Sequence, residues 1–388
     1  MSLPMAGYDL TEEQVELAGL VRSFADEVVA PVSYEADRTK TLPMDVVAQM
    51  GEMGLFGLPF PEEVGGQGGD YVTLGLAIEA LARVDQSIAI TLEAGVSLGA
   101  MPIFRFGTDV QREEYLPDLL AGRALAGFGL TEPEAGSDAG ATRTTARLDA
   151  GDWVIDGAKQ FITNSGTSIT RFVTVTAVTS EPGAETREIS TIIVPHGAPG
   201  FTVGPAYDKV GWHASDTHPL VFTGARVPEE NLLGQRGRGF ANFLHILDEG
   251  RIAIAALATG AAEGCLEAAV DYAKSRVVFG ETLGTRQSIQ FMLARMQQRV
   301  HVSRLAWLHA ARLRDAGRPF KTEAAIAKLT SSDAAMENAR DATQIFGGNG
   351  FINEYPVARH FRDSKILEVG EGTTEVQLLL IARSLGLA

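Results

Sequence analysis

The sequence predicts an α+β fold in three parts: an N-terminal α-helical domain over 1–125, a middle antiparallel β domain over 126–235, and a C-terminal four-helix bundle over 236–388. Three observations predict it. Apolar residues recur at helical spacing in the first and last zones. Short Val/Ile/Thr-rich runs punctuated by Gly and Pro fill the middle. The patterns of the last zone are long and rich in Ala and Ser, which lets antiparallel helices approach closely. A chain of 388 residues also exceeds what one core usually serves.

Each element follows in order. Thr11 and Gln14 have capping-box spacing, and Leu17, Leu20, Phe24 and Val28 continue as a helix that Pro31 is expected to stop. Residues 43–60 read as a short helix ending in a glycine-rich turn, and "PEEVGGQGGD" as a loop. Residues 71–107 are apolar nearly all round, the mark of buried helices, and 109–122 form another helix. Alternation around Ala150-Gly151-Asp152 predicts a hairpin. "RFVTVTAV", "REISTIIVP" and "HPLVFTGARVP" supply further strands of an antiparallel sandwich or barrel. A long helix is expected over 239–276. Ile289, Leu293, Met296, Val300 and Trp307 share the stripe of the next, and "TEAAIAKLTSSDAAMENARDATQIF" is a third, with Gly347 or Gly348 as its C-cap. Thr373 or Thr374 caps the last helix, whose apolar face is Val376, Leu379 and Leu380.

Composition narrows the function. Apolar residues make up 45% of the chain and charged ones 21%, with a net charge of −16. This is an ordinary globular composition, and it disfavours a nucleic-acid partner, which needs clustered Lys and Arg. The single cysteine, Cys265, permits no intrachain disulfide and fits a reducing compartment. "MSLPMAGYDLTEEQ" lacks the features of a targeting segment, and no run reads as a membrane span, so a cytoplasmic location is expected, the bacterial cytosol rather than the mitochondrial matrix. No G-x-G-x-x-G follows a strand, and neither a P-loop nor a G-x-S-x-G elbow is present. His213 and His218 are the nearest histidine pair, the other histidines have no Cys or acid at ligand spacing, and no metal site is expected.

Three stretches carry chemistry. "GFGLTEPEAGSDAGAT" (127–142) offers Thr131, Ser137 and Asp138 on a polar loop, read either as a ligand grip or as a capped turn. "QIFGGNGF" (344–351) lets a ligand approach backbone closely, or simply ends a helix. "EVGEGTTEVQ" (368–377) sets Glu371 between glycines just before a helix. There it is either an acid stabilised by the helix dipole or a general base.

Together "LTEPEAGSD", "QIFGGNGFINEYPVARHFRD" and "GEGTTEVQ", in this order, resemble the acyl-CoA dehydrogenase family, and the likeness runs from "TEEQ" through "PEEVGGQGGD" to the last helix. The resemblance implies FAD held without a Rossmann motif, an acyl-CoA substrate, a homotetramer and electron-transferring flavoprotein as the acceptor. It implies oxidation to the trans-2-enoyl-CoA, in which Glu371 takes the α-proton while the β-hydrogen passes as hydride to flavin N5. The Glu371 N–H and a flavin hydroxyl would hold the thioester oxygen. By the same matching, Phe128, Leu130, Thr131, Gly136, Ser137, Phe161, Ile162 and Thr163 contact FAD. Arg276, Phe279, Gln287, Gln344 and Gly348 reach a neighbouring subunit's FAD, and Thr373 and Glu375 lie at its adenosine half. Ser137, Asp248, Arg251 and Gly372 face the acyl-CoA, and Glu93 lies toward the acyl end. Asp248 and Arg251 read alternatively as an interhelical ion pair, and Glu368 as structural.

A branched-chain subgroup of the family carries its base immediately before the matching Arg. Here that position is Gly250, and Glu249 lies about 100° away around the helix, which favours Glu371. Gly370 stands where some members have Tyr, and Leu378 where Arg is frequent. The competing readings are an acyl-CoA oxidase, typically longer at its C-terminal end, and a non-catalytic acyl-CoA or flavin-binding subunit.

Overall fold

The computed structural model describes residues 7–181 and 183–387; the first six residues of the N-terminal reading lie outside them. Helices α1 (Glu12–Phe24) and α2 (Ala30–Thr39) are joined without a break by a π-helical turn, Ala25–Val29. Pro31 therefore does not stop the helix. It falls in the first turn of α2, where its missing N–H would have no α-helical partner, and the π-turn absorbs the register change. The buried face is Ala18, Val21, Ala25 and Val29, whereas Leu20 is exposed. The Thr11–Gln14 capping box is present.

Helices α3 (Met44–Glu52), α4 (Tyr71–Ala82), α5 (Gln86–Glu93), α6 (Met101–Phe106) and α7 (Asp109–Leu120) complete the first zone, with a second π-turn, Ala94–Ala100, between α5 and α6. The middle zone holds β1 (Leu125–Gly129), β2 (Thr145–Asp149), β3 (Asp152–Thr163), β4 (Thr170–Val178), β5 (Ile189–Pro195), β6 (Phe201–Val203), β7 (Thr217–Pro228) and β8 (Leu232–Leu233). One sheet runs β6-β7-β3-β2-β4-β5-β8. Most pairs are antiparallel, but β1 lies parallel to β4, and β2 bridges β4 in parallel at one residue pair. The chain crosses the domain between β1 and β4 instead of turning back, a long-range pairing that leaves no local signal.

Next come α8 (Gly239–Ser275), the short pair β9 (Val277–Val278) and β10 (Glu281–Thr282), α9 (Gln287–Asp315), α10 (Lys321–Phe346), α11 (Pro356–Ser364) and α12 (Thr374–Ser384). Gly347 is the C-cap of α10, and Thr373 caps α12. The apolar face of α12 stays uncovered within this chain: Leu378 and Leu379 are exposed and Gln377 is the buried residue.

One hydrophobic cluster runs through both helical zones, from Leu74 and Ile78 of α4 to Leu257 of α8 and Trp307 of α9, while Trp153, Ile155, Val175 and Phe222 centre a second inside the sheet. Glu79 joins the helical zones by accepting hydrogen bonds from Arg304 and, at 2.7 Å, from Trp307 Nε1. The stretches 86–106 and 239–275 are long and apolar enough to cross a membrane by length and mean hydropathy alone. Of those apolar windows, 89% and 83% of residues are buried inside the protein, so their hydrophobicity is that of core helices.

Candidate active site

Helix α8 organises the site. Near its start Phe243 stacks on Phe128 of β1, with ring centroids 3.8 Å apart. Seven residues on, about 10 Å along the axis, Gly250 lies under the Glu371 carboxyl: a Cβ built at Gly250 would overlap Glu371 Oε2. The loop 127–142 and Glu371 are thus served by the same half of α8.

Glu371 has φ +52°, an uncommon conformation for a residue with a Cβ, and it precedes Gly372 at φ +97°. Such local strain persists where surrounding contacts over-determine it. Those contacts are visible: the Gly372 carbonyl accepts from Lys328 Nζ and from Gln377 Nε2, both at 2.8 Å. A side chain at 372 would also meet Gln377 Nε2 at 2.7 Å, whereas one at Gly370 would make only ordinary contacts. The two glycines therefore differ: Gly372 is required by the turn, whereas Gly370 has room for a side chain.

The residue is half-buried, but Glu371 Oε2 is sealed from solvent and has no hydrogen-bond partner. Burial pushes the carboxyl up to about 6, opposed by the adjoining Glu93 carboxyl and by the charges of Lys328 and Arg251. Glu93 of α5 is fully buried, with both oxygens unpartnered, and its carboxyl also faces Gly250. Burial first, and then the neighbouring Glu371 charge, raise Glu93 well above the usual carboxylate range. Of the pair, Glu371 is the one that ionises. Among the described residues the Glu371 N–H donates to no backbone carbonyl.

Glu249 points elsewhere. Its buried carboxylate is paired with Arg105 and, at 3.3 Å, with Arg314. Arg251 is paired with Asp248 on the same helix, and Lys321 of α10 joins Asp248 at 3.4 Å. The ion pair expected between helices is thus intrahelical, with one interhelical partner. Glu368 is held by Lys365 at 2.5 Å.

The other sequence-predicted residues fall into three groups. Thr131 C=O accepts from Gln160 N–H at 2.9 Å, which lays 128–131 against 161–163. In this groove Phe128, Leu130 and Ile162 are buried, Thr131 and Thr163 half-buried, and Gly136, Ser137 and Phe161 exposed. Phe161 has φ +62° and sits 5.1 Å from the Tyr207 ring. An exposed aromatic face, hydroxyls at the rim and an open Gly136 fit the ring system and polar edge of a flavin.

The second group is Arg276, Phe279, Gln287, Gln344 and Gly348, all exposed at the far end of the bundle. Tyr272 stacks on Phe346 at 4.1 Å, which joins the ends of α8 and α10 there. Phe279 projects from the β9–β10 turn, 96% exposed. From Phe243 to Arg276 is about 50 Å along α8, so one bound dinucleotide cannot touch both groups within a protomer. The third group, Thr373 and Glu375, opens α12, and Thr373 Oγ1 accepts from Val376 N–H at 3.3 Å.

Sequence reasoning missed Lys328 and Gln377, and it missed that Glu93 adjoins Glu371. The available signal was a lone lysine in an Ala/Ser-rich buried stripe, a position that demands a partner. His213 instead pairs with Asp37 and His218 with Asp216, at 3.0 and 2.8 Å.

Comparison with known proteins identifies the family and the fold. Family models for the acyl-CoA dehydrogenase N-terminal, middle and C-terminal domains match residues 11–123, 127–225 and 237–386. The chain is 46% identical to a probable acyl-CoA dehydrogenase, YngJ, of Bacillus subtilis, over 97% of this chain and 99% of that one. It superposes on butyryl-CoA dehydrogenase from Megasphaera elsdenii with a TM-score of 0.93 and 42% identity, covering 99% and 100% of the two chains. It also superposes on a glutaryl-CoA dehydrogenase from Mycobacterium smegmatis in complex with FADH2, with a TM-score of 0.92 and 32% identity, covering 97% and 95%. The chain therefore belongs to the acyl-CoA dehydrogenase family of FAD-dependent oxidoreductases.

Proposed function

We propose that this chain oxidises a short straight-chain acyl-CoA to its trans-2-enoyl-CoA, with Glu371 as the base that removes the α-proton. The observation that carries the reading is the Glu371 carboxyl: buried, unpartnered at Oε2 and ionising at about 6. A thioester α-C–H is a weak acid, so its base must be desolvated yet ionised near neutrality. The Glu371 N–H, which has no backbone acceptor among the described residues, donates to the thioester oxygen where negative charge develops. Arg251 and Lys328 add positive potential, and Gly372 keeps the turn open toward the substrate. Ser137 faces the CoA arm, and the Asp248–Arg251 pair borders the acyl-CoA. A neutral Glu93 beside the base is a poor lining for a long alkyl chain, which together with the 42%-identical butyryl-CoA dehydrogenase supports the short-chain assignment.

When bound, FAD would supply a hydride acceptor, flavin N5, for the β-hydrogen. Phe128, Leu130, Thr131, Gly136, Ser137, Phe161, Ile162 and Thr163 would hold it in one protomer. The exposed set Arg276, Phe279, Gln287, Gln344 and Gly348 serves the FAD of a second protomer, in keeping with a homotetramer, and Thr373 and Glu375 border the adenosine half. Electron-transferring flavoprotein is the proposed acceptor, and the bacterial cytosol the proposed compartment. The domain division 1–125, 126–235 and 236–388 is retained; the ranges of the three family models support it.

Anaerobic addition of butyryl-CoA to the FAD-loaded protein should bleach the yellow flavin absorbance. Failure with butyryl-CoA but bleaching by a longer or branched acyl-CoA would overturn the short-chain assignment. Failure with every acyl-CoA would overturn the enzyme reading and leave a binding subunit.

A further inference from the structure

Lys328 lies in the middle of α10, 1% exposed. Its Nζ donates to the Gly372 carbonyl at 2.8 Å, and the same oxygen accepts from Gln377 Nε2 at 2.8 Å. Gln377 alone would satisfy the carbonyl. A buried ammonium is a costly second donor for an oxygen that already has one. What it adds is a positive charge behind the turn that carries Glu371, and a tether from α10 to that turn. Arg251, the other nearby cation, is committed to Asp248.

We propose that Lys328 is a positioning residue for the dehydrogenation: it fixes the Gly372 carbonyl, which aims the Glu371 carboxyl, and its charge keeps that carboxyl ionised. The inference rests on the reading of Glu371 as the base. The charged groups facing Lys328 come from every neighbouring element: Glu371 from the turn, Arg251 from α8, Glu368 from the turn before Val369, Glu375 from α12 and Asp333 from α10 itself. Glu93 of α5 acts through Glu371. Burial brings Lys328 down to about 8, against the pull of Glu371. The carboxylate and the ammonium thus coexist between about pH 6 and pH 8.

The test uses FAD-loaded protein and butyryl-CoA. Lys328→Met should retain FAD but move the acid limb of the kcat/KM profile up by about one pH unit, because removing a nearby opposite charge raises a carboxyl pKa by about that much or more. At pH 6 this is a loss of about five-fold. The infrared carboxyl band that disappears in Glu371→Gln should titrate upward by the same amount. Gln377→Met should lower kcat across the pH range without moving the limb, and Lys328→Arg should keep the limb in place.

An unmoved limb and band in Lys328→Met would overturn the proposal, as would an equal displacement in Gln377→Met. If Lys328→Met does not fold, Lys328→Arg decides: a limb in its wild-type place supports the role of charge, and a displaced limb overturns it. Activity retained in Glu371→Gln would instead sink the base assignment, an outcome separate from any result with Lys328.

Discussion

Two glutamates with buried carboxyl oxygens lie on either side of Gly250, and they are opposites. Glu249 adjoins it in the chain and places its carboxylate against Arg105 and Arg314, and Arg314 stacks on the Tyr71 ring at 4.1 Å. Glu371 adjoins Gly250 only in space, with a sealed oxygen that makes no hydrogen bond among the described residues. Burial does not separate the two; their partners do. A carboxylate held by two guanidiniums has its oxygens engaged in structural pairs. One raised by desolvation, with a vacant oxygen, is poised for proton transfer. Gly250 permits both arrangements, because its missing Cβ is the space into which Glu371 reaches.

The contrast is broken most directly at Glu371. Glu371→Gln keeps the shape and removes the base. It should retain FAD and lose about 10²- to 10⁴-fold in kcat, the usual contribution of a general base, measured as the rate of flavin bleaching by butyryl-CoA. Glu249→Ala should do the reverse. It strands Arg105 and Arg314, so unfolding should become easier by about 3–5 kcal/mol, as when one partner of a buried pair is removed, while kcat at a temperature where the variant is folded stays within a few-fold. Denaturant unfolding with parallel kinetics decides. A stable Glu249→Ala protein without activity would transfer the base role to Glu249. Gly250→Ala falls between them. The added methyl displaces a flexible carboxyl and no backbone, and Ala favours a helix over Gly by about 1 kcal/mol. Stability should hold or rise while kcat drops about 10²-fold, the scale expected when a reacting group is misplaced by about 1 Å.

The same contrast bears on what sequence could and could not disclose. Glu371 stood out as a candidate because its neighbours are local, glycines on both sides and Thr373 two residues on, but the choice between a dipole-stabilised acid and a base came from the family resemblance. Its surroundings were not legible. Glu93 and Lys328 come from helices 278 and 43 residues away in the chain, and nothing in either segment names the other. The α1–α2 rod was misread at Pro31 for a related reason, since a π-turn changes the register without leaving a compositional mark. The parallel β1–β4 pair was likewise invisible, because strand alternation reports which face is buried and not which strand lies alongside. Local capping, by contrast, was read well at Thr11 and at Thr373, where side chain and backbone partners sit three residues apart.

The pH profile sharpens the contrast at a smaller scale. The Glu371 carboxyl is raised to about 6, and the base must be ionised to act. Below pH 6 its protonated form accumulates, so kcat/KM for butyryl-CoA should fall about ten-fold per pH unit, or about 1.4 kcal/mol each. Above pH 6 this limb should be flat until Lys328 begins to lose its proton near 8. Glu249 faces Arg105 and Arg314 and not the Glu371 turn, so Glu249→Gln should leave the profile where it is. An acid limb that followed Glu249→Gln would reverse the assignment of the two carboxyls.

The smallest effect belongs to Thr373, and it tests whether the Glu371 turn depends on the helix behind it. Helix α12 buries Gln377 but leaves Leu378 and Leu379 exposed in this chain, so little apolar burial seats it. Its start is held instead by the Thr373 cap on Val376 N–H and by the Gln377 bond to the Gly372 carbonyl. Thr373→Ala removes the first of these, at a cost of about 1 kcal/mol. The loss should appear as local opening, read by faster hydrogen exchange at Val376 and Gln377 with global unfolding little changed. If Lys328 and Gln377 hold the turn as the geometry indicates, kcat should fall by less than about ten-fold, because 1 kcal/mol of opening is about a five-fold change in population. A fall as large as that of Gly250→Ala would mean that the carboxyl is aimed by the cap rather than by the two donors on Gly372.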